Sequence, residues 1–167
     1  MKKYGSNWEN SGVTLPELGI IIAPEIFTVR RNVALRTGML ILKGTKYFTW
    51  DTARELVWNN YTPKGWRLPT AEETDIICKY ANDENSIFPE YGLHGFIRAD
   101  NMVEYYRNPT AKESLAISSG KVGYYWTGSL KEPLYPYAIF SSDISMGGNV
   151  SIHSNYGLSM FLVKDMK

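Results

Sequence analysis

The chain has 167 residues, of which 44% are hydrophobic and 21% are charged, the proportions of an ordinary globular domain. Its 18 Lys and Arg residues nearly balance 17 Asp and Glu residues, and this net charge of +1 excludes a nucleic-acid binder that works through a broad basic face. The single cysteine excludes an internal disulfide and a structural zinc site built on several thiolates.

The N-terminal part of the chain predicts an irregular arm followed by short strands. Residues 1–19 are polar and contain Gly and Pro, which indicates partial order. The apolar run at residues 20–22 is typical of a strand. We therefore divide the chain into an arm with the first strands, residues 1–45, and a domain, residues 46–167. The first segment is a candidate docking or oligomerisation device; in the alternative, residues 20–45 supply the first strands of the same domain.

Two helices are predicted in the middle of the chain. Thr49 is suited to cap a helix over residues 50–58, because its hydroxyl can accept a hydrogen bond from the first turn. Thr70 followed by Glu73 forms a capping box and predicts a second helix that ends near residue 81. The apolar residues placed near one face of the first helix are Trp50, Ala53, Val57 and Trp58.

The rest of the chain predicts loops and then strands. Residues 82–123 are polar and rich in turn formers, so we expect long loops with at most short strands. Four strand candidates follow, separated by turn residues, at residues 124–126, 137–140, 150–152 and 158–163. The order of strands, two helices, loops and strands predicts an α+β domain in which two helices pack on antiparallel strands.

Four sequence blocks resemble those of one protein family. They are similar to the patterns TWDxA, GWRLPTxxE, GYYWSS and SYGFSVRCVKD of the bacterial and phage C-type-lectin-like domains, and they lie at residues 47–53, 65–73, 123–129 and 155–165. The blocks occur in the family's order and cover residues 46–166. The resemblance implies a C-type-lectin-like fold with two helices, antiparallel strands and long loops.

The chain departs from this family at two cysteine positions. The family pattern has one cysteine ahead of GWRLP and one ahead of VKD, and the resemblance implies that they would pair. The matching positions here are Thr62 and Leu162. Together with the lack of an apolar segment behind the basic start, this predicts maturation in a reducing cytosol. Cys78, in the second helix, is predicted to be a small buried hydrophobic residue.

Neither a metal site nor catalysis is favoured by the sequence. Calcium-dependent sugar-binding lectins use a Glu-Pro-Asn tripeptide, but here Glu132 and Pro133 are followed by Leu134. The formylglycine-generating oxidases, which share the lectin-like fold, need late cysteines, and the chain has none after Cys78. No nucleophile-elbow pattern is present. We therefore expect no enzyme activity, no metal and no cofactor.

Non-covalent recognition remains, and the late part of the chain is rich in residues suited to it. Tyr, Trp, Asn and Ser supply rigid contact area and adaptable hydrogen bonds. The late loops and strands form the ligand face in lectin-like folds, and at least one of Tyr125 and Trp126 is expected in the core. The resemblance thus implies that the binding residues are Tyr135, Tyr137, Asn149, His153 and Asn155, of which Tyr137 and Asn149 are expected to be dispensable for stability.

The leading interpretation is a phage virion-associated structural or receptor-binding protein, adhesin-like and made in the host cytoplasm. Its partners would be a cell-surface glycan, a protein receptor or other virion proteins, and we expect a homo-oligomer, with a trimer as the first guess. Nucleic-acid binding and membrane insertion are not expected, since the longest apolar run is far too short to span a bilayer. The alternative is a carbohydrate-binding module that is secreted or held at a bacterial surface.

Overall fold

The chain has a mixed α+β arrangement in which runs of strands flank the helices of its middle part. The computed structural model describes residues 8–27, 38–42, 45–83, 91–107, 116–142 and 145–166. In these residues the helices are α1 (Trp8–Ser11), α2 (Trp50–Trp58), α3 (Ala71–Asp83) and α4 (Ala99–Arg107). The strands are β1 (Val13–Leu15), β2 (Ile20–Ile22), β3 (Met39–Leu42), β4 (Thr45–Phe48), β5 (Trp66–Arg67), β6 (Phe96–Ile97), β7 (Ala116–Ile117), β8 (Val122–Glu132), β9 (Tyr135–Ser142), β10 (Met146–Ser151) and β11 (Val163–Asp165).

All pairs between these strands are antiparallel, and the α+β prediction is confirmed. The strands form a four-stranded sheet β1-β2-β11-β5, a three-stranded sheet β10-β9-β8, and the pairs β3-β4 and β6-β7. None of the described helices is both long and apolar enough to cross a membrane.

The four-stranded sheet brings the two ends of the described chain together. Strand β11 lies between β2 and β5, with Val163 opposite Ile22 on one side. The buried indole of Trp8 contacts that of Trp66 edge to face, with ring centroids 5.1 Å apart. The described part of residues 1–45 therefore contributes a strand hairpin and an aromatic side chain to the same sheet and core.

Strand β8 of the three-stranded sheet is buried on both faces around residues 125–127. Successive side chains of a strand point to opposite faces, and both Tyr125 and Trp126 of β8 are fully buried, each in a different apolar cluster. Their polar atoms are satisfied: the indole N–H of Trp126 donates to the Phe48 carbonyl at 2.7 Å, and the Tyr125 hydroxyl donates to the Gly92 carbonyl at 2.9 Å. The prediction that at least one of these aromatic residues is core is confirmed for both.

Local hydrogen bonds begin the two helices that the sequence predicts. The Thr49 hydroxyl accepts the N–H of Thr52 at the start of α2. At the start of α3 the Thr70 hydroxyl accepts the N–H of Glu73 at 3.3 Å, and the Glu73 carboxylate accepts the N–H of Thr70 at 2.9 Å. Both caps are confirmed, and the capping box is reciprocal.

Two expectations about later elements are wrong. The segment 82–123 was expected to hold loops with at most short strands, but it contains the helix α4. Among residues 99–104, whose side chains the structure describes, only Met102 is buried, and this leaves too weak an apolar periodicity to reveal a helix. Residues 84–90 and 108–115 lie outside the described residues.

The predicted strand 158–163 is a buried connecting segment whose backbone changes partners along its length. Leu158 exchanges both hydrogen bonds with Phe48, the Met160 carbonyl accepts from Phe27, and only at Val163 does regular pairing in β11 begin. All six side chains of this segment are buried, which produces the apolar run that resembles a strand in the sequence.

Candidate functional site: a cleft beside the second helix

A cleft of about 500 Å³ opens between α2, the β5–α3 corner and β8. This volume lies in the range of small-molecule and peptide-anchor pockets. The wall formed by α2 consists of Asp51, Arg54, Glu55, Val57 and Trp58. The corner and β8 contribute Arg67, Leu68, Thr70 and Gly128. The cleft therefore combines an apolar wall with charged groups of both signs.

The indole of Trp58 is the most conspicuous group in the cleft, because 85% of its side-chain surface is exposed. The sequence placed Trp58 with the core face of α2, and this expectation is wrong. At 3.6 residues per turn, Trp58 lies about 160° around the helix axis from the buried Leu56. That angle was the signal available in the sequence, and it directs the indole away from the core.

The exposed face of α2 that carries this indole also carries charged side chains. Trp50, Ala53 and Leu56 bury one face of the helix, so Asp51 and Arg54 lie on the exposed face. The guanidinium carbon of Arg54 lies 4.4 Å from the ring centroid of Trp50, in a cation–π contact.

The corner wall is held rigid by Arg67. Its two Nη atoms donate to the Glu73 carboxylate at 3.0 and 2.9 Å, and Nη2 also donates to Asp165 at 2.7 Å. Its remaining donors are used by the Leu68 carbonyl and by the second oxygen of Asp165. All five guanidinium N–H groups are thus engaged within the protein. Arg67 therefore shapes the cleft and has no donor left for a ligand.

The two acidic partners of Arg67 are held in their ionised forms. Burial acts to raise the pKa of Glu73, but the hydrogen bonds from Arg67 and from the Thr70 N–H outweigh it and lower this pKa below its ordinary value. For Asp165 the hydrogen bond from Arg67 is the main influence and lowers its pKa. The same pairings raise the pKa of Arg67, although burial opposes this.

Strand β8 forms the third wall of the cleft and continues beyond it. The Gly128 N–H donates to the Pro69 carbonyl at 2.8 Å, and the Trp50 indole N–H donates to the Thr127 carbonyl at 2.8 Å. From Gly128 to Tyr135 every residue except Ser129 is exposed. We call residues 130–135 the hairpin tip. It follows Gly128, which lines the cleft, by two positions along the same strand.

The hairpin tip presents apolar side chains to the solvent. Leu130, Leu134 and Tyr135 are 48%, 60% and 39% exposed. Leu134 has a φ of 71°, in the left-handed region that disfavours a branched side chain. The Leu134 carbonyl accepts the N–H of Ser154 at 2.8 Å, which holds the tip against the following loop.

Three of the five binding residues expected from the sequence lie together, one in the hairpin tip and two in the loop after β10. The rings of Tyr135 and His153 meet edge to face with centroids 5.2 Å apart, and the Asn155 N–H donates to His153 Nδ1 at 3.1 Å. The backbone N–H of Trp50 donates to the carbonyl of Ser154 at 3.0 Å. Ser154 lies between His153 and Asn155 in the loop after β10. This cluster and the cleft therefore border the N-terminus of α2 from two sides.

The other two expected binding residues are placed differently. Tyr137 lies in β9 opposite Ser151 and is half-buried. Asn149 lies exposed in β10 with a φ of 60°, and its side-chain oxygen lies 2.9 Å from the hydroxyl of the buried Thr74 of α3, which shares its one proton with the Ala71 carbonyl at 2.7 Å. Asn149 therefore connects the sheet to α3, and this contact together with the positive φ predicts a contribution to stability that the sequence does not indicate.

The remaining chemistry of the described residues is limited. They contain no group of three His, Cys, Asp or Glu side chains suited to hold a metal ion. The thiol of Cys78 is buried, as the sequence predicts, and burial together with the charge of Asp75 raises its pKa to about 12. Comparison of the chain with protein-family models, with curated proteins and with solved structures finds no match.

Proposed function

We propose that this protein is a non-enzymatic recognition protein with a C-type-lectin-like fold, and that it is a virion-associated structural or receptor-binding protein of a phage. The cleft beside α2 is its binding site. The observation that carries this proposal is the indole of Trp58, which is 85% exposed at the rim of a cleft with an apolar wall. An isolated surface apolar residue is ordinary, but an exposed indole at a cleft rim is typical of recognition sites.

The assignment of the lectin-like fold is supported by the way in which the four family-like blocks meet in space. Arg67 and Glu73 of the second block form one network with Asp165 of the fourth block. Trp126 of the third block donates its indole N–H to the Phe48 carbonyl of the first block. The blocks thus behave as interlocking parts of one structural unit.

The cluster of Tyr135, His153 and Asn155 extends the binding face beyond the cleft. Its three residues come from the hairpin tip and the loop after β10, and hydrogen bonds to the backbone hold that loop. A preorganised aromatic and polar surface loses little entropy when a partner binds. This supports a role for the late part of the chain in contacting a receptor.

A second candidate function is a carbohydrate-binding module at a bacterial surface or in secreted form. The observation that favours it is the position of the Asp51 carboxylate in the same cleft as the Trp58 indole. The apolar face of a sugar ring can stack on an indole while a carboxylate accepts hydrogen bonds from its hydroxyl groups.

The proposed site is tested by binding of the full chain to a panel of immobilised bacterial surface polysaccharides and to intact bacterial cells. We expect Trp58→Ala to abolish binding to whichever probe the parent protein recognises, and Trp58→Phe to retain part of it. The matched control is Val103→Ala, which removes an exposed apolar side chain from α4, outside the cleft. Equal binding by the parent and by Trp58→Ala would refute the site.

A further inference from the structure

The apolar cleft and an exposed apolar segment share strand β8. Gly128 of this strand lines the cleft, and the exposed hairpin tip begins two residues later. We propose that the cleft is filled by the hairpin tip of a second copy of this chain. This inference rests on the proposed function, since it gives the recognition cleft a second copy of the chain as a partner, which then competes with an external ligand for the same site.

Apolar surfaces match between the two features. The tip offers Leu130 and Leu134, and the cleft offers Val57, Trp58 and Leu68. The indole of Trp58 and the side chain of Leu134 are both more than half exposed in the single chain. Docking removes them from water together, and tryptophan is one of the residues that most often dominate the binding energy of an interface.

Charges also match. The tip exposes Lys131 and Glu132 between its two leucines, and the cleft holds Asp51 and Arg54 on the exposed face of α2. A tip that enters the cleft can bring Lys131 towards Asp51 and Glu132 towards Arg54. Complementary pairs at the edge of an apolar contact set its orientation and disfavour other partners.

The backbone of Leu134 gives an independent reason to look for a partner. Its φ of 71° is a conformation in which Gly or Asn is less strained than Leu. The side chain is 60% exposed, so it gains little from packing within the chain. The Pro133–Leu134 turn between β8 and β9 requires this backbone conformation, but the turn does not require an exposed leucine side chain at the position, and we take that side chain as the feature available to a partner.

Adjacency of the tip and the cleft favours a twofold assembly. Contacts of this kind are isologous when both elements lie near a twofold axis, because each copy then inserts its tip into the cleft of the other. The interval between Gly128 in the cleft wall and Leu130 in the tip is only two positions. The assembly inferred here is therefore a twofold dimer with two equivalent tip-and-cleft contacts.

Light scattering coupled to size-exclusion chromatography over a range of protein concentrations tests this dimer. We expect the parent chain to approach the mass of a dimer as its concentration rises, and Leu134→Asn to remain monomeric. Asn tolerates a left-handed backbone, so this variant is expected to melt no lower than the isolated parent chain. The control Val103→Gln should dimerise like the parent. A parent that stays monomeric at every concentration overturns the proposal.

Charge reversal tests the individual contact. We expect Lys131→Glu and Asp51→Lys each to weaken association at least tenfold, and the double variant to recover most of the loss. Failure of the double variant to recover any association would overturn the assigned pairing. A mass of three copies that still depends on Leu134 would retain the contact but overturn the twofold arrangement.

Two measurements distinguish failure of the proposed function from failure of the dimer: the mass of the parent chain, and the binding of Trp58→Ala to polysaccharides or cells. If the parent is monomeric while Trp58→Ala still abolishes binding to polysaccharides or cells, self-docking fails and the recognition site stands. If Trp58→Ala changes neither the mass nor any binding, both proposals fail.

Discussion

The guanidinium of Arg67 lies 2.7 Å from the carboxylate of Asp165, although the two residues are 98 positions apart in the chain. The same guanidinium holds Glu73 in a two-pronged ion pair. One side chain thus ties together β5, the start of α3 and the end of β11. Each of these elements borders the cleft or supports its corner wall, so the network determines the shape of the site without contacting a ligand.

Removal of the Glu73 carboxylate should destabilise the protein. Glu73→Ala deletes two hydrogen bonds from Arg67 and one from the Thr70 N–H. Hydrogen bonds to charged groups contribute about 1.5–3 kcal/mol, and partial exposure of Arg67 reduces this figure, so we expect a loss of about 1–3 kcal/mol in the free energy of unfolding in urea. The control is Glu72→Ala, one position earlier on the exposed face of α3, which should change the free energy by less than about 0.5 kcal/mol. Equal losses in both variants would contradict the role of the network.

Acid should weaken the native state through the same carboxyl groups. The pKa values of Glu73 and Asp165 are lowered in the folded protein, so the folded state binds protons less readily than the unfolded state. Their contribution to stability is therefore fully present above the unfolded pKa values and is lost as the pH falls through the folded ones. Urea unfolding at stepped pH values should show a shallower acid decline in a Glu73→Gln, Asp165→Asn double variant than in the parent. An unchanged slope would contradict this linkage.

Truncation of Trp66 in β5 and of Trp58 in α2 should have opposite effects on stability. Trp66 is buried against Trp8, so Trp66→Ala should cost about 3–5 kcal/mol as a core truncation. Trp58 is almost fully exposed, so Trp58→Ala should leave the free energy of unfolding within about 0.5 kcal/mol of the parent. Thermal melting at low protein concentration measures both. A large loss in Trp58→Ala would show that its indole packs within the chain.

Asn149 should matter for stability through its backbone and its side chain. Asn149→Ala places a Cβ-bearing residue with lower left-handed preference at a φ of 60° and removes the bond from Thr74. We expect it to cost about 1–3 kcal/mol in urea unfolding. Asn149→Gly keeps the backbone conformation and should cost less. If both variants cost the same, backbone strain contributes nothing to the effect.

The single thiol should be inert in the native state. Cys78 is buried, and its pKa is raised to about 12, so the thiolate that reacts with disulfide reagents is scarce at neutral pH. We expect an aromatic disulfide reagent, which releases a coloured thiolate on reaction, to report one reactive thiol per chain only after denaturant is added. Rapid reaction of the native protein would show that α3 opens locally.

Local signals in the sequence correctly predicted the starts of α2 and α3. The caps at Thr49 and Thr70 depend on hydrogen bonds within one helical turn, so the residues that make them are neighbours in the sequence. The apolar runs between turn residues likewise predicted β8 and β9, which contain residues 124–126 and 137–140. These features are visible without knowledge of any distant contact.

The sequence pattern was insufficient where distant partners decide the outcome. The segment 158–163 reads as a strand, yet its backbone bonds successively to three separate parts of the chain. The helix α4 has a single buried anchor among its described side chains, Met102, and no cap that stands out. In both cases tertiary contacts outweigh the local preference.

What the amino-acid sequence determined by itself is therefore the α+β class, the capped helices and the buried Cys78, since each depends on residue type and short-range spacing. Only the tertiary structure decided that Trp58 faces a cleft, that Arg67 has no free donor and that Asn149 braces α3. A cleft is the space between walls that come from distant segments, and the direction of each wall follows from long-range packing and ion pairing. A local sequence pattern therefore cannot predict the cleft.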